Sequence, residues 1–150
     1  MESKHNIPAI LSANSEIAKS AYFHNKVLII NGWEGCGKTG VCNVFKAIKG
    51  IENMRYSTEI ELISHLWLSK NIDLNSAKTL IATLCDYIVY NLFQSREINI
   101  RPSDLSSIFN SPIWYKYIFR LFSKGGEDCV KYITKKTILN LVTHNLYQCS

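Results

Sequence analysis

Gly32-Trp33-Glu34-Gly35-Cys36-Gly37-Lys38-Thr39 stands one residue after the apolar run Val27-Leu28-Ile29-Ile30, and this junction constrains the fold more than any other feature. A G-x-x-x-x-G-K-[ST] stretch works as a loop that leaves a strand and enters a helix. Its glycines let the backbone curl so that successive N–H groups point inward at phosphate oxygens. The lysine then reaches the β- and γ-phosphates, and the threonine hydroxyl ligates Mg²⁺. The motif predicts a nucleoside triphosphate, ATP or GTP, bound with Mg²⁺. Its expected phosphate contacts are Gly32, Gly35, Cys36, Gly37, Lys38, Thr39 and Gly40. Lys38 is also the first catalytic candidate, and Thr39 the metal ligand.

The flanks fit that expectation. Lys26 to Ile30 is a short β-branched run between His24-Asn25 and Asn31-Gly32, the pattern of a central parallel strand buried on both faces. Lys38 to Ile48 reads as the exit helix, with Val41, Val44, Phe45 and Ile48 forming one apolar stripe to lie on a sheet, and Gly50 as its stop. The positive end of that helix would sit under the phosphates.

One domain is expected from 150 residues. No apolar segment approaches the roughly 18 residues that would span a bilayer, so no membrane association is predicted. Met1-Glu2-Ser3-Lys4-His5 lacks the layout of a secretion signal. Cys36, Cys42, Cys85, Cys129 and Cys149 are odd in number and form no C-x-x-C pair. A disulfide framework and structural zinc are therefore not expected, and a cytoplasmic, reducing setting is. The net charge of +5 is spread along the chain, with no basic run longer than Lys135-Lys136. Solvated basic faces explain it better than a nucleic-acid footprint. Homo-oligomerisation is left open.

Further elements follow from periodicity and capping. A helix is predicted over Pro8 to Ala21, and a short strand at Asn53-Met54-Arg55-Tyr56. A helix opens at Ser57-Thr58, where Thr58 and Glu61 have capping-box spacing, with Ile60, Ile63, Leu66 and Trp67 inward. Asp73 or Asn75 caps a long buried helix running to Phe93. A short helix is expected from Pro102 to Asn110. Another opens at Ser111-Pro112, with Ile113, Tyr117, Ile118, Leu121 and Phe122 inward. Gly125-Gly126 stops it, and Glu127-Asp128 starts a last helix carrying Val130, Ile133, Thr137, Ile138, Leu141 and Val142.

The result is an α/β fold of P-loop type with a minimal parallel sheet, one clear strand and one or two weakly marked ones, and a predominantly helical remainder. Residues 1–58 form the strand–loop–helix core and 59–150 the helical part. A second nucleotide motif, an apolar strand ending in an Mg²⁺-holding Asp, has one candidate in Leu80-Ile81-Ala82-Thr83-Leu84-Cys85-Asp86. Those residues fall within the long helical stripe, and length and periodicity favour helix there. Either Asp86 closes a strand, or the second half of the fold is missing.

The context Ile29-Ile30-Asn31-Gly32-Trp33-Glu34-Gly35-Cys36-Gly37-Lys38-Thr39 resembles the small-molecule kinase branch of the P-loop superfamily. Thymidylate kinases open with a similar Glu-Gly-x-Gly-Lys-Thr loop, and type-2 polyphosphate kinases with a similar Gly-Trp-acidic start. Arg55-Tyr56-Ser57-Thr58-Glu59-Ile60-Glu61 is similar to the acceptor-site entry of phage-type deoxynucleoside monophosphate kinases. The resemblance implies an ATP-dependent phosphotransferase with a nucleotide-like acceptor. It places Arg55 where acceptor phosphates dock, making Arg55 the second catalytic candidate. It also implies a helical insert with a lid across residues 59–147. The family's later Asp-x-Arg strand has no counterpart here. The alternative is a catalytically incomplete nucleotide-binding or scaffold protein acting through its helical surface.

Among the other candidates, Trp33 would shield phosphates or fill a core gap. Glu34 would orient an acceptor, or remain a solvated carboxylate. Arg120, with Lys116 and Lys124, forms a basic stripe that reads as lid-like or as a solvated face. None of the histidines has metal-ligand spacing, and none is assigned a role.

Overall fold

The computed structural model describes residues 21–123 and 127–144. They form a mixed α/β unit around a three-stranded parallel sheet. The elements are β1 (Lys26–Asn31), α1 (Lys38–Phe45), β2 (Arg55–Tyr56), α2 (Thr58–Leu68), α3 (Leu74–Phe93), α4 (Trp114–Leu121), α5 (Glu127–Lys136) and β3 (Ile138–Thr143). The helix predicted over Pro8 to Ala21 lies, Ala21 apart, outside the described residues.

The largest correction concerns the end of the chain. The last helix stops at Lys136, and Ile138–Thr143 is a strand, not two further helical turns. Moreover it is the central strand, in the order β1-β3-β2. The segment 59–150 is therefore not wholly helical. Ile138, Leu141 and Val142 continue the helical stripe of Val130 and Ile133, so periodicity favoured helix. A buried strand whose two faces are both covered gives the same continuous apolar run. β3 is buried from Leu139 to Thr143. β1, expected to be central, pairs with β3 along one side and leaves Ile29 42% exposed.

Alternation along β3 divides the core. Leu139 and Leu141 face Ile60 of α2, Cys85, Ile88, Val89 and Leu92 of α3, and Cys129 and Ile133 of α5. Val142 points the other way and packs with Cys42, Met54 and Ile30 beneath α1. Full burial of each such Leu, Ile or Val is worth about 1.5–3 kcal/mol, so the larger cluster carries most of the packing energy.

α3 spans Leu74 to Phe93 as expected. Asp73 caps it by accepting from the amides of Asn75 (2.8 Å) and Ser76 (2.9 Å). α1 differs from its prediction. It ends at Phe45, and Val41, Val44 and Ile48 are exposed while Cys42 and Lys46 are buried. With a single small patch of sheet to cover, α1 turns the Lys38, Cys42, Lys46 line inward, at i, i+4 and i+8. The helix expected over Pro102 to Asn110 is mostly turn, with one 3-10 turn at Ile108–Asn110. In α4 Tyr117 is buried as predicted, but Leu121 and Phe122 are exposed. The Thr58–Glu61 capping box does not form. Ser57 is the cap residue, its hydroxyl donating to Glu59 at 3.0 Å, and Glu61 is engaged elsewhere.

Candidate functional site

Parallel strands bring their carboxyl ends to one edge, where α/β proteins bind ligands. Here that edge gathers the loop after Asn31, the end of β2 at Tyr56, and the end of β3 at Thr143, which lies level with Asn31. The loop opens with a turn closed by the Cys36 amide on the Trp33 carbonyl at 3.3 Å. Gly35 and Gly37 have φ of +78° and +85°, left-handed conformations that a side chain would strain. At Gly32 the space is tight instead: a Cβ there would lie 3.0 Å from Cys36 Sγ, which would have to shift, and 3.6 Å from Lys38 Cδ.

Lys38 is 8% exposed, and its ammonium donates to the carbonyls of Gly32 and Trp33. The loop thus closes around a cation. The first bond along α1 runs from the Gly40 amide to the Gly37 carbonyl at 3.0 Å. The amides of Lys38 and Thr39 precede it and are free of helical partners, as at any helix start. Lys38 and Thr39 both border a groove outside the loop. That groove, of about 560 Å³, is lined by Glu34, Gly35, Gly37, Lys38, Thr39, Gly40, Tyr56, Leu105 and His144.

No protein-family model matches this chain, and neither curated proteins nor solved structures give a significant match. The site is therefore read from its own geometry.

Of the predicted phosphate contacts, Gly35, Gly37, Lys38, Thr39 and Gly40 line the groove. Gly32 and Cys36 form the inner turn, with Cys36 Sγ 3.9 Å from the Lys38 ammonium. Trp33 is 66% exposed and fills no core gap. Thr39 Oγ1 lies 3.1 Å from the Tyr56 hydroxyl, and the Tyr56 ring stacks on His144 with centroids 5.5 Å apart. The His144 amide donates to Glu61 Oε1, and its Nδ1 lies 3.6 Å from the same oxygen. Tyr56 belongs to the stretch likened to an acceptor-site entry, whereas sequence reasoning gives Leu105 and His144 no site role. The apolar run ending at Thr143 was the signal for His144, but only a strand reading of it places that residue beside the loop.

Arg55 is not in this groove. It pairs with Glu97 and, at 3.6 Å, with Glu59, and it lines an adjoining pocket that shares Tyr56. Asp86 closes no strand. It lies within α3, and its Oδ1 accepts from the amides of Phe23 (3.0 Å) and His24 (2.8 Å) and meets His24 Nδ1 at 2.7 Å. It therefore anchors the chain entering β1. The apolar strand next to β1 is β3, and it ends in Thr143-His144 rather than an acid. Among the described residues no group of three or more His, Cys, Asp or Glu is placed to hold a metal.

Arg120 does not lie on a solvated face; its side chain is 14% exposed. Its guanidinium donates twice to Glu52, at 2.7 and 2.9 Å, and lies 4.1 Å from the centroid of the Phe93 ring. Burial alone would lower its pKa, but the bonds and charge of Glu52 outweigh that and hold it above the ordinary value. Lys46 is buried. It donates to the Leu105 carbonyl at 2.9 Å, and burial pushes its pKa down. Through that bond α1 holds Leu105 at the groove wall. No helix among the described residues is long and apolar enough to cross a membrane.

Proposed function

We propose that this protein binds a nucleoside triphosphate through the Gly32–Thr39 loop and acts as a phosphotransferase of P-loop type in the cytoplasm. The supporting observation is the Lys38 ammonium, enclosed by loop carbonyls at the carboxyl edge of three parallel strands. In this reading the loop amides hold the polyphosphate and Lys38 offsets its charge. Thr39 Oγ1 would be the protein ligand for Mg²⁺, an ion that commonly takes few protein ligands beside phosphate oxygens and water. In the transfer the acceptor oxygen bonds to the γ-phosphorus, the bond to the nucleoside diphosphate breaks, and the acceptor's proton leaves to solvent. Arg55 would contribute only after leaving Glu97 and Glu59.

A second reading has its own support. β3 ends in Thr143-His144, and the Thr39 hydroxyl already has Tyr56 as a partner. Both fit a protein that binds nucleotide without turning it over. Calorimetry with Mg·ATP and Mg·GTP tests the binding common to both readings. Binding is expected for the intact chain, with a loss of at least tenfold in Lys38→Ala. Absence of heat from a folded protein overturns both. A coupled assay of triphosphate consumption against a panel of nucleoside monophosphates then separates them, turnover supporting the kinase and its absence the binding protein.

A further inference from the structure

A second cavity, of about 260 Å³, lies at the opposite end of the sheet. Its walls include Lys49, Glu52, Ile113, Lys116, Arg120 and Tyr132. Gly50 and Thr137 also border it, so it sits where the chain enters β2 and β3. The phosphate loop lies beyond their other ends. β3 has six residues, so about 17 Å of strand separates the two regions.

Among the described residues the charges at this cavity are unbalanced. Glu52 is 4% exposed and fully engaged, accepting two bonds from Arg120 and one from the Tyr117 hydroxyl at 2.9 Å. Its charge is therefore matched by Arg120 alone. Lys49 and Lys116 also line the cavity, and neither has an ion-pair partner among the described residues. Among the described residues two positive charges remain in excess there. A guanidinium has five N–H donors, and Glu52 takes two hydrogen bonds from Arg120, which leaves donors for a further acceptor. Ile51, Ile113 and Tyr132 supply an apolar wall. An arginine fixed by Glu52, only partly exposed and flanked by two exposed lysines, is suited to a compact multivalent oxyanion. The volume is close to the roughly 300 Å³ at which small-molecule pockets begin.

We propose that this cavity is an anion site, separate from the Gly32–Thr39 loop, for a phosphate or pyrophosphate group carried on a small molecule. Arg120, oriented by Glu52, fixes the oxyanion, Lys49 and Lys116 supply the unbalanced charge, and the apolar wall receives the rest of the ligand.

Equilibrium dialysis of the full chain with inorganic pyrophosphate tests it. Lys38→Ala is expected to retain one equivalent of bound pyrophosphate. Adding Lys49→Ala and Lys116→Ala is expected to weaken that remaining binding at least tenfold. Both lysines are exposed, so unchanged urea midpoints will establish that the fold is kept. Retention of binding after their removal overturns the proposal, as does loss of all pyrophosphate binding in a folded Lys38→Ala variant. Should binding be indifferent to Lys38 but abolished by the Lys49/Lys116 pair, the second site stands and the loop reading fails instead.

Discussion

The Thr39 hydroxyl lies 3.1 Å from the Tyr56 hydroxyl, so the side chain expected to ligate a metal is bonded across the groove to the last residue of β2. A metal ion on Thr39 Oγ1 would compete with that bond. In Tyr56→Phe the competitor is gone. A net hydrogen bond of about 0.5–1.5 kcal/mol converts to about 2- to 12-fold tighter binding of Mg·ATP. Calorimetry on the two proteins reads the difference. Weaker binding by Tyr56→Phe would mean that the phenol assists the ligand.

The thiols are expected to differ sharply in reactivity. Cys36 is exposed in the loop, whereas Cys85 is buried and its pKa is pushed up to about 11 by burial and then by Asp86. At pH 8 only about one Cys85 in a thousand is thiolate. Iodoacetamide should label Cys36 well before Cys85, and Mg·ATP should slow the Cys36 reaction several-fold. Labelling of Cys85 should climb about tenfold per pH unit toward pH 11 while the fold holds. Peptide mapping by mass spectrometry distinguishes the sites. Equal rates at Cys36 with and without nucleotide would place the ligand elsewhere.

Buried Glu52 and part-buried Arg120 form a pair whose partners cannot be removed singly without cost. Arg120→Ala leaves a carboxylate in a site almost without water, and about 3–5 kcal/mol of stability should be lost. Glu52→Ala should cost a similar amount. The double variant should lose clearly less than the two combined, because the uncompensated charge is then absent. Urea unfolding of the four proteins gives the coupling directly, and additive losses would contradict a shared ion pair.

Asn140 sits fully buried in β3 opposite Leu28, and neither its amide nitrogen nor its amide oxygen has a hydrogen-bond partner among the described residues. An unpaired buried amide costs about 1–3 kcal/mol. Asn140→Val keeps a strand-forming shape and removes that penalty, so the urea midpoint should rise. A fall would reveal a partner for the amide in the folded protein.

Read alone, the chain determined the parts whose causes lie within a few residues. The Val27–Ile30 run, the glycine positions of the loop, the start of α1 and the Asp73 cap of α3 all depend on local backbone preference and neighbouring side chains. Tertiary structure decided the rest. Whether Ile138–Thr143 became strand or helix turned on pairing with β1, across residues more than a hundred positions apart, such as Thr143 and Asn31. The apolar periodicity satisfied either outcome, and only the ladder's hydrogen bonds and the two covered faces favoured the strand. That same pairing moved β1 to an edge, carried His144 to the groove and left Arg55 facing Glu97. The loop motif is written in eight consecutive residues, but the walls around it come from three strand ends that meet only once the sheet has formed.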